Sequence, residues 1–200
     1  MVEEFKAVVA DRVHLEAYRG NRFNIPFLNL AAVFHHRDHF QQLCSMLDPK
    51  KEANMFVRCL RADFEDDIIL AGIRATGMIC QHISTPLMKM VESNDIHVID
   101  TDKYYTRLRD KVKDWMNDPS PILNDSALLF PDFPPAKNDV HKSLYAATTE
   151  SIENHTRQAL SILFHNFMVC ITRQVVDHLP GGRFHNASDA IRKQTASCPG

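Results

Sequence analysis

The 200-residue sequence predicts an all-α protein, an irregular bundle of six to eight helices, and three observations support this fold class. Apolar residues recur every three or four positions along most of the chain, which is the period of an amphipathic helix. No segment sustains the apolar–polar alternation of a half-buried strand. Only six glycines occur, so few positions interrupt the helical pattern.

The first quarter of the chain predicts three helices. Helices over about 3–18 and 24–46 follow from the spacing of their apolar residues. Asp48 and Pro49 then begin a helix that continues to Leu60, because a capping side chain followed by proline is typical of a helix start.

The next segment predicts two more helices and a break. Asp63 and Asp66 have the spacing of a capping box with Asp in the place of Glu, so a fourth helix begins at Asp63. Thr85 followed by Pro86 repeats the cap-and-proline signal. The helix is therefore expected to break near Ser84, and a short helix follows.

The second half contains the clearest amphipathic helix of the chain. It is capped at Asp100 or Thr101, and four residues form its buried stripe: Tyr104, Leu108, Val112 and Trp115. Five of the ten prolines then lie in 119–135, which predicts a proline-rich loop or a set of short turns rather than a helix. The apolar residues of this loop indicate that it packs onto the core.

The final helices complete the predicted bundle. A helical stretch over 139–149 precedes a last helix from about 151 to 179, whose wide apolar face suits the centre of the bundle. This face consists of Leu160, Phe164, Phe167, Met168, Ile171 and Val175. Because glycine commonly ends a helix, the Pro-Gly-Gly run from 180 stops it. We predict one helical domain over 1–182 and a loosely ordered C-terminal tail over 183–200.

Composition and charge exclude several classes of protein. The net charge is −2, so no strong overall field favours nucleic acid or a membrane surface. No apolar run has the length of a transmembrane helix, and no membrane partner is expected. The five cysteines are scattered without a C-x-x-C pair, which favours a reducing compartment, nuclear or cytoplasmic.

Two groups of residues have the chemistry of metal ligands. His35 and His39 are four apart on a predicted helix face, a spacing that allows both imidazoles to reach one metal ion, although no third ligand lies nearby. A polar helix face explains them as well. Four acids cluster near residue 65, as in two-metal hydrolases, but acids in a first helical turn also complement the helix dipole. They are Asp63, Glu65, Asp66 and Asp67.

A set of basic residues gives the candidates for nucleic-acid contact. Four lie on the clearest amphipathic helix, and Arg22 and Arg183 complete the set. The four are Lys103, Arg107, Arg109 and Lys111. Acids interleave with these basic residues, however, so exposed ion pairs along the helix explain them too.

Motifs of common catalytic and cofactor sites are absent from the sequence. It contains no G-x-S-x-G, no phosphate-binding Walker loop, no G-x-G-x-x-G and no H-E-x-x-H. Cys80 and His82 have the residue types of a nucleophile and its base, but two helical positions apart their side chains diverge. Cys80 is therefore predicted to be a core residue. No cofactor, small-molecule ligand or catalytic residue is predicted.

Three segments resemble transposon-encoded, transposase-like proteins, nearest to the hAT-like transposases. They are 20–34 from Gly-Asn-Arg-Phe-Asn-Ile-Pro-Phe, 73–87 from Ile-Arg-Ala-Thr-Gly-Met-Ile, and 177–184, Asp-His-Leu-Pro-Gly-Gly-Arg-Phe. In that family an RNase-H-like catalytic core is interrupted by an all-helical insertion, and an Arg-aromatic-Asn motif precedes the insertion. Arg22, Phe23 and Asn24 resemble this motif, with Phe23 in the place of the usual tryptophan. The resemblance implies that this chain is a fragment, mostly the helical insertion.

Three functions follow from these observations. The resemblance implies a non-catalytic helical domain that acts in protein association, with a partner protein or a second copy of the chain, and DNA contact as a further role. A free-standing helical interaction module with an unknown partner is the alternative. An all-α metal-dependent hydrolase that uses His35, His39 and the acids near residue 65 is the third.

Overall fold

The computed structural model describes residues 2–9, 12–17, 24–47 and 55–188, and these residues form an all-α bundle. Six of the described helices have eleven residues or more, and no β-strand occurs in these ranges. The predicted fold class is therefore confirmed. The α-helices are, in chain order, α1 (Val2–Val8), α2 (Ile25–His35), α3 (Arg37–Leu47), α4 (Met55–Glu65), α5 (Asp67–Ile79), α6 (Thr85–Val91), α7 (Asp102–Asn117), α8 (Ser120–Leu123), α9 (Asp139–Leu144) and α10 (Glu150–Gln174).

The N-terminal helices are shorter than the sequence predicts. α1 ends at Val8, and residues 12–17 are not helical, so the predicted helix over 3–18 is wrong in its second half. This segment lies against α2 instead, where the backbone of Glu16 exchanges two hydrogen bonds with the side chain of Asn29, at 2.8 and 3.1 Å. These bonds satisfy backbone groups that a helix would otherwise pair internally.

Two further predicted boundaries differ from the structure. The helix expected over 24–46 is divided at His36 into α2 and α3. Asp63 lies inside α4, and Asp66 is the N-cap of α5, where its carboxylate accepts hydrogen bonds from the backbone N–H groups of Ile68 and Ile69. The predicted start at Asp48 and Pro49 lies outside the described residues.

The predicted break near Ser84 is wrong, because α5 continues into α6 through a π-helical turn. This turn spans Cys80–Ser84, and the backbone N–H of Thr85 bonds to the carbonyl of Cys80, five residues back. Pro86 then lies in the first turn of α6, where proline needs no N–H partner. Single π-helical turns inside α-helices occur frequently at functional sites.

The main core lies where α10 packs between α5 and α7. Leu160 and Phe164 of α10 are fully buried, as is Val112 of α7. Leu129 and Phe130 are also fully buried, so the proline-rich loop packs onto the core as predicted. α10 begins after its N-cap Thr149 and ends at Gln174, five residues before the predicted end.

A second close contact joins α2, α5 and α9. A Cβ atom added at Gly77 would lie 2.8 Å from Cδ2 of Leu144 and 3.1 Å from Cα of Ala31. Glycine at this position therefore lets the three helices approach each other. This approach places α9 beside the π-helical turn.

The surface elements complete the description. Residues 183–188 of the predicted tail lie against α7, and the backbone N–H of Asn186 donates to the carboxylate of Asp102 at 3.2 Å. Residues 189–200 lie outside the described residues. Among the described helices, none has both the length and the apolar composition needed to cross a membrane.

Candidate functional site

Three side chains from distant parts of the sequence meet beside the π-helical turn: His82, Asp125 and His141. His82 belongs to the turn itself and is 1% exposed, and His141 belongs to α9 and is 2% exposed. Asp125 follows α8 with a φ of 59°, a left-handed conformation that Asp adopts more readily than most residues. Its side chain is partly exposed, so solvent reaches the cluster at Asp125.

His82 is held by contacts at both ring nitrogens. Its Nδ1 lies 3.0 Å from the carbonyl oxygen of Ala127, and since a carbonyl only accepts, Nδ1 is the protonated nitrogen. Its Nε2 faces the hydroxyl of Tyr145 at 2.7 Å and Oδ1 of Asp125 at 3.4 Å. The same hydroxyl lies 2.9 Å from the carbonyl oxygen of Ile122, to which it donates.

Asp125 joins the other members of the cluster. Its Oδ1 lies 2.9 Å from Nε2 of His141, and its Oδ2 accepts a hydrogen bond from Nζ of Lys137. The same Nζ lies 3.3 Å from Nε2 of His141. In the described part of the chain, Nδ1 of His141 is buried without a hydrogen-bond partner.

Burial and hydrogen bonds shift the pKa values of His82, Tyr145 and Asp125. It lowers the pKa of His82 to about 4, although the Ala127 carbonyl and the Asp125 charge act in the opposite direction. Burial raises the pKa of Tyr145, and the Asp125 charge adds to this effect. Burial also acts to raise the pKa of Asp125, but hydrogen bonds from Lys137 and His141 outweigh it and hold that pKa below its usual value. At neutral pH, His82 is neutral and Asp125 is charged.

One ligand atom from each of His82, Asp125 and His141 lies within 4.8 Å of the other two. Two imidazoles and one carboxylate form a donor set that binds zinc or ferrous ions in proteins. In the described ranges, no other group of three such side chains comes this close.

Comparison with protein-family models, curated proteins and solved structures finds no match for this chain.

The predicted metal ligands His35 and His39 lie in a separate cluster with His14 and His36. Neighbouring ring centroids in this cluster are 4.6–5.7 Å apart. Because the helix is divided at His36, His35 and His39 do not share one continuous helix face. No three ligand atoms of this cluster lie within 4.8 Å of one another. The structure therefore places His35 and His39 in one cluster but does not form a three-ligand metal site there. Their metal role stays a prediction.

The imidazole cluster predicts a loss of stability in mild acid. Burial, together with the neighbouring imidazoles of His35, His39 and His14, lowers the pKa of His36 to about 4. The unfolded chain therefore binds a proton at His36 below about pH 6.5, while the folded chain does so only near pH 4. The free energy of unfolding should fall by about 2 kcal/mol through this residue between about pH 7 and pH 5.

Urea unfolding at the two pH values measures this effect. His36→Gln should lose about 2 kcal/mol less than the wild type on acidification. His165→Gln is the control, because His165 is exposed on α10. An identical acid loss in His36→Gln and the wild type would show that His36 does not contribute.

Three of the predicted phosphate-contacting residues line one groove. Lys103, Arg107 and Lys111 line one groove of about 480 Å³ between α7 and residues 185–186. Asp102, Asp110 and Asp114 line the same groove. The guanidinium of Arg107 donates a hydrogen bond to the carbonyl oxygen of Leu129, and this bond holds the Arg107 side chain in place. The groove is therefore mixed in charge rather than basic.

Arg109 and Arg183 do not line this groove. Arg109 forms an ion pair with Asp110 at 2.8 Å, as the interleaved acids predict. Arg183 lies over the ring of Phe184, 5.5 Å from its centroid. Arg22 lies outside the described residues. A role of these residues in DNA contact stays a prediction.

The acids near residue 65 and the Cys80–His82 pair have separate roles in the structure. Asp66 caps α5, and Glu65 pairs with Arg61, so no three of the four acids form a metal-binding group in the described chain. Cys80 is fully buried, and burial raises the pKa of its thiol to about 11. Cys80 is thus a core residue, as predicted, whereas His82 faces the cluster.

Sequence reasoning did not identify Asp125 and His141. Asp125 lies in the proline-rich loop and His141 in a six-residue helix, and neither element has a periodic pattern that predicts its neighbours. One signal was present in the sequence. A histidine between Cys80 and Ile83 on an apolar helix needs a buried hydrogen-bond partner. The local sequence does not show which distant residue is that partner.

Proposed function

We propose that this chain is a non-catalytic helical domain of the transposase-like type and that it associates with another protein through the α7 groove. The charge pattern of the groove supports this proposal. Lys103, Arg107 and Lys111 are four residues apart and form a basic row along α7, and Asp110 and Asp114 form an acidic row beside it. A helix with acids and bases in matching rows would pair with both.

A protein partner fits this groove better than DNA does. A DNA backbone presents only negative charge, so the acidic row would repel it where the basic row attracts it. Lys111 and Asp114 have no ion-pair partner among the described residues and are available to a mixed-charge partner. The favoured occupant is therefore a helical protein segment that carries both acidic and basic side chains.

Fluorescence anisotropy with a labelled helical peptide of Glu-Ala-Ala-Lys repeats tests this proposal, since the peptide carries rows of both charges. We expect binding at about 50 mM salt that weakens towards about 200 mM, because exposed ion pairs are screened. Lys111→Glu should weaken binding about fivefold. Lys113→Glu is the matched control, because Lys113 is exposed on α7 but does not line the groove.

A labelled DNA duplex measured in parallel separates the two macromolecules. Binding of DNA more tightly than the peptide, with a steep loss between about 50 and 200 mM salt, would favour phosphate contact and contradict protein association. Equal affinities of Lys111→Glu and the wild type for the peptide would contradict the role of the groove.

A further inference from the structure

We propose that His82, Asp125 and His141 bind one divalent transition-metal ion, and that Zn²⁺ is the ion this ligand set fits. The ligand atoms are Nε2 of His82, Oδ1 of Asp125 and Nε2 of His141. This proposal does not depend on the partner-binding groove, which lies on α7.

The distances between the ligand atoms agree with coordination to a single ion. Two ligands at bond lengths of about 2.0–2.1 Å on a tetrahedral zinc ion lie about 3.3–3.4 Å apart. Nε2 of His82 lies 3.4 Å from Oδ1 of Asp125, and Nε2 of His141 lies 2.9 Å from the same oxygen. The two imidazole nitrogens lie within 4.8 Å of each other, so small movements of Asp125 and of the two rings would bring all three atoms to bonding distance.

The contact between His82 and Ala127 is of the kind that orients metal-binding histidines. Such histidines usually donate the N–H of the second ring nitrogen to a carbonyl or carboxylate, which fixes the tautomer and the direction of the lone pair. Nδ1 of His82 makes this bond at 3.0 Å. In its neutral form, the ring therefore directs the lone pair of Nε2 into the cluster.

Two hydrogen-bond acceptors face each other beside His82, with no proton or cation between them. The lone pair of His82 Nε2 faces Oδ1 of Asp125 at 3.4 Å, and both atoms are acceptors. The hydroxyl of Tyr145 has a single proton, and it lies within hydrogen-bond distance of both this nitrogen and the carbonyl oxygen of Ile122. One of the two acceptors therefore stays unpaired.

A metal ion resolves this arrangement. It would accept lone pairs from Nε2 of His82 and from the Asp125 carboxylate. Nε2 of His141 would join them once the proton that it now donates to Asp125 moves to Nδ1 of the same ring. The Tyr145 hydroxyl would then donate to Ile122 alone. Three protein ligands leave one position open on a tetrahedral ion, as in catalytic zinc sites. Solvent reaches this position through the partly exposed Asp125.

Lys137 occupies part of the space that the ion needs. Its ammonium group pairs with Oδ2 of Asp125 and lies 3.3 Å from Nε2 of His141. The Lys137 side chain is 58% exposed, so it can move into solvent when an ion binds. Lys137 is therefore a competitor of the ion, and its removal should strengthen metal binding.

Calorimetric titration of the EDTA-treated full chain with Zn²⁺ tests the site. We expect the wild type to bind one ion here, and Asp125→Asn to weaken this binding about 100-fold or more. Asn adopts the left-handed conformation as readily as Asp does, so this variant should keep the fold. Lys137→Met should strengthen the binding about two- to fivefold, the range of an exposed ion pair.

The imidazole cluster provides the matched control, because it offers histidines but no three ligand atoms within 4.8 Å of one another. The double variant His35→Gln, His39→Gln should bind Zn²⁺ at this site as the wild type does. Equal affinity of Asp125→Asn and the wild type would overturn the proposal, and so would a loss of all binding in the double variant. As a second measurement, Zn²⁺ should raise the midpoint of thermal unfolding of the wild type but not of Asp125→Asn.

Discussion

Replacement of Phe164 by alanine should lower the free energy of unfolding by about 3–5 kcal/mol. Phe164 is fully buried on α10, and its ring centroid lies 6.0 Å from that of Trp115 on α7. The substitution removes apolar contacts in the core cluster that α10 shares with α5 and α7, and close packing prevents the neighbours from filling the cavity. Urea unfolding of the variant and the wild type at pH 7 measures the difference.

The same helix provides the control for this prediction. Ile162 of α10 is 63% exposed, so Ile162→Ala should change the free energy of unfolding by less than about 0.5 kcal/mol. The comparison separates the loss of core packing from any general effect of alanine on the helix. A loss below about 1 kcal/mol for Phe164→Ala would contradict the central position of α10.

The fold was predictable to the extent that local patterns determine it. The stripes of α7 and α10 lie in the core because their apolar spacing follows the helical period, which a sequence shows directly. The errors occur where distant contacts override a local pattern. Residues 12–17 are not helical, and Asn29 of α2 bonds to the backbone of Glu16, which no local signal at Glu16 indicates.

The π-helical turn shows the same limit. Thr85 and Pro86 have the pattern of a new helix start. The helix nevertheless continues, because the π-helical turn before them accommodates a proline that has no N–H to donate. This continuity places His82 on the inner side, where α8 and α9 pack. The cluster of His82, Asp125 and His141 thus depends on tertiary packing, and its members are separated by 43 and 16 residues along the sequence.

Arg74 is the second residue at which a substitution should have a large effect. It lies on α5, is 2% exposed, and pairs with Glu153 of α10 at 2.8 Å. Its Nε donates to the carbonyl oxygen of Leu144 at 2.8 Å, and its Nη1 lies 3.3 Å from the hydroxyl of Thr148. One side chain therefore joins α5 to α10 and supplies a donor to the last carbonyl of α9, which no residue of that helix can satisfy.

Arg74→Met should lower the free energy of unfolding by about 2–3 kcal/mol. Met fills most of the volume of the Arg stem, but the Leu144 carbonyl would stay buried without a donor, and an unpaired buried acceptor costs about 1–3 kcal/mol. Arg109→Met is the control, since Arg109 forms a partly exposed pair with Asp110 and should lose at most about 0.5 kcal/mol. Replacement of a buried ion pair by apolar groups can be neutral, because the charges no longer have to be desolvated. A loss at Arg74 no larger than that at Arg109 would contradict this prediction.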